Sequence, residues 1–170
     1  MLADTFTWFH LWLILHVTAV IVAFGPDFAF PLIARQIQKH PEHAVFGTEI
    51  IHVIEERLTL PLSVAVPLLG TALIYTGHFN LWKSEWLIIA IVVYIVTFFF
   101  AMFVQLPNTS KMIRLLQSMP PGPPPPGATP PPEVVSLGKK LQFGGMYLAL
   151  AIVSLVVLMI WRPGSCQGIC

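Results

Sequence analysis

The chain has 170 residues, of which 56% are hydrophobic and 10% charged, and its formal net charge is +1. Soluble domains carry roughly 25% charged residues, so this composition excludes a water-soluble monomer. A charge so close to zero also gives no basis for nucleic-acid binding.

Residues 1–10 include Asp4 and no Lys or Arg, which does not match the basic start of a cleavable leader, so the first apolar segment is expected to be retained. A bilayer core of ~30 Å takes ~20 apolar residues of helix. From Phe6 to Ile33 only His10, His16 and Asp27 interrupt the apolar run, and Gly25-Pro26-Asp27 closes its clean part at Phe24. A second long segment runs from Phe46 to Tyr75. Its first third is crowded by Glu49, His52, Glu55, Glu56 and Arg57, so the hydrocarbon-length part begins at Leu58. These two segments read as an antiparallel hairpin that overhangs the membrane on one side. Pro61 and Pro67 predict a bend in its second arm, with neighbours satisfying the carbonyls they free.

The nine residues Gly77 to Glu85 are short enough to make spans 2 and 3 antiparallel neighbours. Trp86–Leu106 and Leu141–Trp161 are 21 residues each without a charge, and read as plain spans 3 and 4. Lys111-Met-Ile-Arg114-Leu-Leu suggests a short basic helix on the anionic leaflet. Pro120–Pro132 holds nine prolines in thirteen residues, a polyproline II segment that is either a solvated loop or a strap against a partner. Cys166 and Cys170 sit in the tail, where a disulfide and a free pair are both open, and they cannot staple the fold.

The expected fold is an all-α membrane protein, a four-transmembrane-helix antiparallel bundle. Its spans lie at about 6–33, 46–76, 86–107 and 134–161, with a proline-rich loop at 119–133 and a tail at 162–170. Loops 1–2 and 3–4 hold Arg35, Lys39, Lys111, Arg114, Lys139 and Lys140, against Lys83 and Arg162 on the other side. That asymmetry assigns the first group to the cytoplasm and both termini to the outside of a bacterial inner membrane. The five tryptophans, Trp8, Trp12, Trp82, Trp86 and Trp161, fall near the outer ends as interfacial anchors.

Polar groups at membrane depth are costly, so each needs a role. On span 2, His52, Glu56, Thr59, Ser63 and Gly70 share one helical face, with Glu55 at its edge. Thr59, Ser63 and Gly70 read as packing positions. His52, Glu55 and Glu56 read either as a site or as a wet helix end. If Phe24 pairs with Leu58, Asp27 lies level with Glu55 and within a turn of Arg57, which predicts an Asp27–Arg57 ion pair. On span 3, Tyr94, Thr97, Ala101 and Gln105 line one face. On span 4, Gly145-xxx-Ala149 is a small-xxx-small packing signal.

His16 lies ten residues into span 1, ~15 Å deep by the helical rise. A lone histidine there serves as a hydrogen-bonding partner or as a metal ligand, neutral imidazole being a common axial ligand of haem iron. In the same register His16 is level with Val66 and His52 with Phe30, ~21 Å apart. One haem held by both is therefore excluded, and any cofactor use of His16 and His52 is at separate sites. Paired mid-membrane carboxylates, GxSxG, phosphate loops and HExxH are absent from the sequence, which sets aside hydrolase and nucleotide chemistry.

The stretches His16-Val-Thr-Ala-Val-Ile-Val-Ala-Phe-Gly-Pro-Asp-Phe-Ala-Phe-Pro-Leu-Ile-Ala-Arg35 and Glu55-Glu56-Arg57-Leu58, with Pro61 and Pro-Leu-Leu-Gly70, carry a resemblance. Through Arg114 the chain resembles a family of small bacterial four-helix membrane proteins of unknown function. Spans 1 and 2 are more distantly similar to HemJ-type protoporphyrinogen oxidases and to the membrane part of copper-resistance D proteins. The HemJ pattern implies haem b with His16 as ligand, but its basic or histidine residues around helix 3 have no counterpart in Trp86–Leu106. Three functions follow in order: a haem- or quinone-associated redox subunit, a non-catalytic subunit packed against membrane partners or its own copies, and ion transport along the His52/Glu56 face.

Overall fold

The computed structural model describes residues 7–119 and 130–163. The readings made for most of the proline segment, as loop or strap, and for Cys166 and Cys170 lie outside the described residues. Four rods, Trp8–Lys39, Pro41–Thr76, Glu85–Gln117 and Pro132–Trp161, are each long and apolar enough to cross a membrane. The first three have 32, 36 and 33 residues, ~50 Å at 1.5 Å per residue, well beyond a ~30 Å hydrocarbon core. The overhang expected of the first hairpin is therefore shared by span 3.

Each of the first three rods changes helix type part-way. Rod 1 is α1 (Trp8–Phe24), a 3₁₀ turn at Gly25–Phe28, and α2 (Phe30–Lys39). Rod 2 holds α3 (Ala44–Ile54), a π turn at Glu55–Thr59, and α4 (Leu60–Thr76). Rod 3 holds α5 (Glu85–Phe100), a π turn at Ala101–Gln105, and α6 (Leu106–Gln117). Rod 4 is one helix, α7 (Pro132–Trp161).

Local sequence explains the interruptions. Both π turns are followed by Leu-Pro, at Leu60-Pro61 and Leu106-Pro107. A proline ring crowds the carbonyl four residues back and offers no N–H, and a widened turn relieves that clash. The widened bonds run from Leu60 N to Glu55 O and from Leu106 N to Ala101 O. In rod 1, Pro26 stands at the start of the 3₁₀ turn.

α1 packs along α4, and α5 along α7, which makes two antiparallel pairs. At the overhanging end α3 packs on α2 and α6, and α7 on α6 and the 3₁₀ turn, so the four rods close into a ring. Lys111–Leu116 therefore belongs to α6, a continuation of span 3 packed on α3 and α7, and not to a separate helix lying along the leaflet. At the opposite end Phe9, Phe79 and Trp86 form an aromatic chain, and the Arg162 guanidinium lies 5.6 Å from the Phe79 ring and 5.4 Å from Trp86. Trp86, 5% exposed, is thus the centre of a clasp and not a lipid anchor, while Trp8, Trp82 and Trp161 point outward.

The described core is thin and made largely of small residues: Ala19, Ala23, Ser63, Ala90, Gly144 and Ala151 are buried at helix contacts. Small side chains let helix backbones approach closely where lipid removes the usual hydrophobic drive. Leucine, isoleucine, valine and phenylalanine cover the outer faces of all four rods, as a lipid environment requires.

Candidate functional site

Two polar regions stand out, one around His16 at mid-span and one at the level of the helix interruptions. His16, on α1, sets its Nδ1 3.0 Å from the carbonyl oxygen of Val66 on α4. A carbonyl only accepts, so Nδ1 carries the proton and donates. The neutral ring then leaves the Nε2 lone pair without a hydrogen-bond partner among the described residues. Gly70 makes this seat: a Cβ there would lie 3.4 Å from His16 Cε1, so the ring rests directly against the α4 backbone.

Nearby, Pro67 removes the N–H that would bond the Ser63 carbonyl. The Tyr94 hydroxyl on α5 donates to that oxygen instead. Rods 2 and 3 are thereby joined beside Pro67, a neighbour satisfying the carbonyl as the sequence anticipates for a proline in a membrane helix. Three residues on, Thr97 Oγ1 is buried without a hydrogen-bond partner.

The second region is a belt of irregular backbone. Thr59 donates from Oγ1 to Ala23 O across 3.0 Å, which ties the rod 2 π turn to the end of α1. Glu55, in the same turn, has the Thr109 hydroxyl beside it and the Asp27 carboxyl within electrostatic range. Thr109, only 2% exposed, also donates to Gln105 O. Glu55 Oε2 and His52 Nδ1 are buried and find no hydrogen-bond partner among the described residues. On rod 3, Gln105 reaches the Leu141 carbonyl at 3.4 Å and lies against Gly144, where any side chain would strike it.

Several expectations change here. The Asp27–Arg57 ion pair does not form: among the described residues the ion pair is His40–Glu42, at 3.3 Å on the surface. Arg57 is exposed, and the group level with Asp27 is a second carboxyl. Glu55 turns inward and Glu56 outward, the reverse of a uniform α-helical stripe, because the π turn inserts a residue into the helical count. On span 4 the contact glycine is Gly144, and a Cβ at Gly145 would meet nothing within 4 Å. Thr109 carries no motif in the sequence; its only signal is its position four residues after Gln105.

His16 and His52 lie at different levels, as the register requires, and they share no site. Among the described residues no group of three or more His, Cys, Asp or Glu side chains could hold a metal ion. What the chain offers a metal cofactor at mid-span is therefore one imidazole nitrogen, its tautomer set by Val66.

Residues 10–163 match the model of the family described as Predicted integral membrane protein (DUF2269). The chain belongs to that family. It is an integral membrane protein, and its four long apolar rods supply the spans. No curated protein and no solved structure matches it.

Proposed function

We propose that this chain is a haem-associated redox subunit of a bacterial inner-membrane assembly, both termini outside, with His16 as an axial ligand through Nε2. The observation that supports the reading is the His16–Val66 hydrogen bond. Histidines that bind metals commonly donate their second ring N–H to a carbonyl, which orients the ring and raises its basicity. His16 has that arrangement, in an apolar setting, with its ring seated on the α4 backbone at Gly70. One axial position fits this chain; His52 is too far along the rods to supply the other. A bound b-type haem would supply one-electron chemistry. The part played by the chain is to hold the imidazole neutral, fix its direction and keep water from it.

A second reading is favoured by the same bond taken alone. His16 then serves as a tether between α1 and α4 in a non-catalytic subunit that packs against other membrane proteins. An absorption spectrum of the protein purified from its native membrane separates the two. A Soret band that disappears in His16→Ala, while the variant still assembles, supports haem ligation. A colourless protein that co-purifies stoichiometrically with a larger complex overturns it in favour of the tether.

A further inference from the structure

A groove of about 400 Å³ lies between rods 3 and 4 at the overhanging end, on the opposite pair of rods from His16. Its walls are two helical stripes that face each other. Phe100, Val104 and Asn108 come from the α5–α6 rod, and Lys140, Phe143, Gly144 and Tyr147 from α7, with Lys139 beside them. Phe100 and Tyr147 close the deep end by an edge-to-face contact, with centroids 4.8 Å apart. Gly144 lies beside them, its Cβ side taken up by the Gln105 amide and the Phe100 ring edge. From that floor to Lys140 is seven residues of α7, ~11 Å.

The chemistry along the groove is graded. Its deep end is aromatic and aliphatic. Its mouth carries the Lys139 and Lys140 ammonium groups and the Asn108 amide, and no acidic residue lines it. Lys111 lies one turn beyond Asn108 on α6 and is exposed, which adds a third cation at the same rim. An apolar slot that opens to the bilayer side and ends in cations at the polar boundary matches one class of molecule. That class has an acyl chain and an anionic head. Basic pockets between membrane helices on the cytoplasmic side recognise such lipids, each Lys or Arg near the surface adding to the attraction.

We propose that this groove binds one anionic phospholipid, its acyl chain against Phe100, Val104, Phe143 and Tyr147 and its phosphate at Lys139, Lys140 and Asn108. The site belongs to the leaflet that the lysine and arginine distribution assigns to the cytoplasm. It is independent of any cofactor at His16.

Lipid titration of the detergent-purified full chain, followed by native mass spectrometry, tests the proposal. The probes are phosphatidylglycerol and phosphatidylcholine with the same acyl chains, and glycerol 3-phosphate as the headgroup without chains. The expected result is tight binding of one phosphatidylglycerol, weaker binding of phosphatidylcholine and no binding of glycerol phosphate. In Lys139→Gln/Lys140→Gln the affinity for phosphatidylglycerol falls by about 30-fold, as loss of two surface cations predicts. Both lysines are exposed, so the variant folds. A second variant, Phe143→Ala, removes an exposed apolar wall of the slot and lowers binding of both phospholipids alike. Equal retention of the two lipids, an anionic preference unchanged in the lysine variant, binding of glycerol phosphate alone, or displacement of the lipid by a ubiquinone analogue would each overturn the assignment.

Discussion

His16 Nδ1 and the Val66 carbonyl meet at 3.0 Å although fifty residues separate them in the chain. Their numbers sum to 82, and so do those of the next bonded pair along the hairpin, Ala23 and Thr59. The facing carboxyls of Asp27 and Glu55 sum to the same value. One antiparallel register therefore runs from mid-span to the helix interruptions, and the polar residues of spans 1 and 2 meet because of it.

The seat of His16 depends on the missing side chain at Gly70. A methyl there would stand at 3.4 Å from the ring, an ordinary contact, so Gly70→Ala is expected to change stability by less than about 0.5 kcal/mol. Gly70→Leu has no such room. It displaces the imidazole from Val66 and costs at least the interhelical bond, about 0.6 kcal/mol and up to ~1.7. Unfolding of the purified protein in mixed detergent measures both. A leucine variant as stable as the alanine variant would show that the ring does not pack where described.

Opposing carboxyls at Asp27 and Glu55 make a different forecast from an ion pair. Asp27→Asn removes a like charge from Glu55 and is expected to raise stability slightly, by a few tenths of a kcal/mol. Arg57→Ala, at an exposed position, is expected to change it by less than about 0.5 kcal/mol. The charge swap Asp27→Arg/Arg57→Asp gains nothing over its single variants. Rescue in that swap, measured by thermal unfolding, would restore the ion pair.

Much of the architecture is legible in the sequence because apolar length is a one-dimensional signal. Phe24 and Thr76 are the last α-helical residues of α1 and α4, where polarity and glycine mark the change. The register was readable as well, since a short polar boundary in each arm aligns the two. Side-chain direction past residue 55 was not. A uniform rotation per residue brings Glu56 inward, and the π turn, induced by Pro61 at the next turn, brings Glu55 instead. The same limit separates Gly144 from Gly145: adjacent positions lie about 100° apart on a helix, and only the position of Gln105 on span 3 decides which faces inward.

That difference can be measured. Gly144→Ala places a methyl against the Gln105 amide, which swings away and gives up its bond to the Leu141 carbonyl, for an expected loss of about 0.5–1.5 kcal/mol. Gly145→Ala meets nothing within 4 Å and is expected to be neutral or slightly stabilising, because alanine is the better helix former. A paired comparison of unfolding midpoints suffices. Equal losses at the two positions would contradict the packing of α7 on the rod 3 π turn.

Pro67 gives the sharpest test, because two residues there exchange one role. Pro67 leaves the Ser63 carbonyl without its helical donor, and the Tyr94 hydroxyl supplies another. Tyr94→Phe removes that donor and is expected to cost about 1–3 kcal/mol, the penalty of an unsatisfied buried carbonyl. Pro67→Ala restores an N–H at the position from which a regular helix bonds Ser63. In that background Tyr94→Phe should cost much less, and the double-mutant cycle should show a coupling of about 1 kcal/mol or more. Additive losses would mean that Tyr94 stabilises the bundle through its ring alone, stacked on Phe98, and that the carbonyl freed by Pro67 has no partner in span 3.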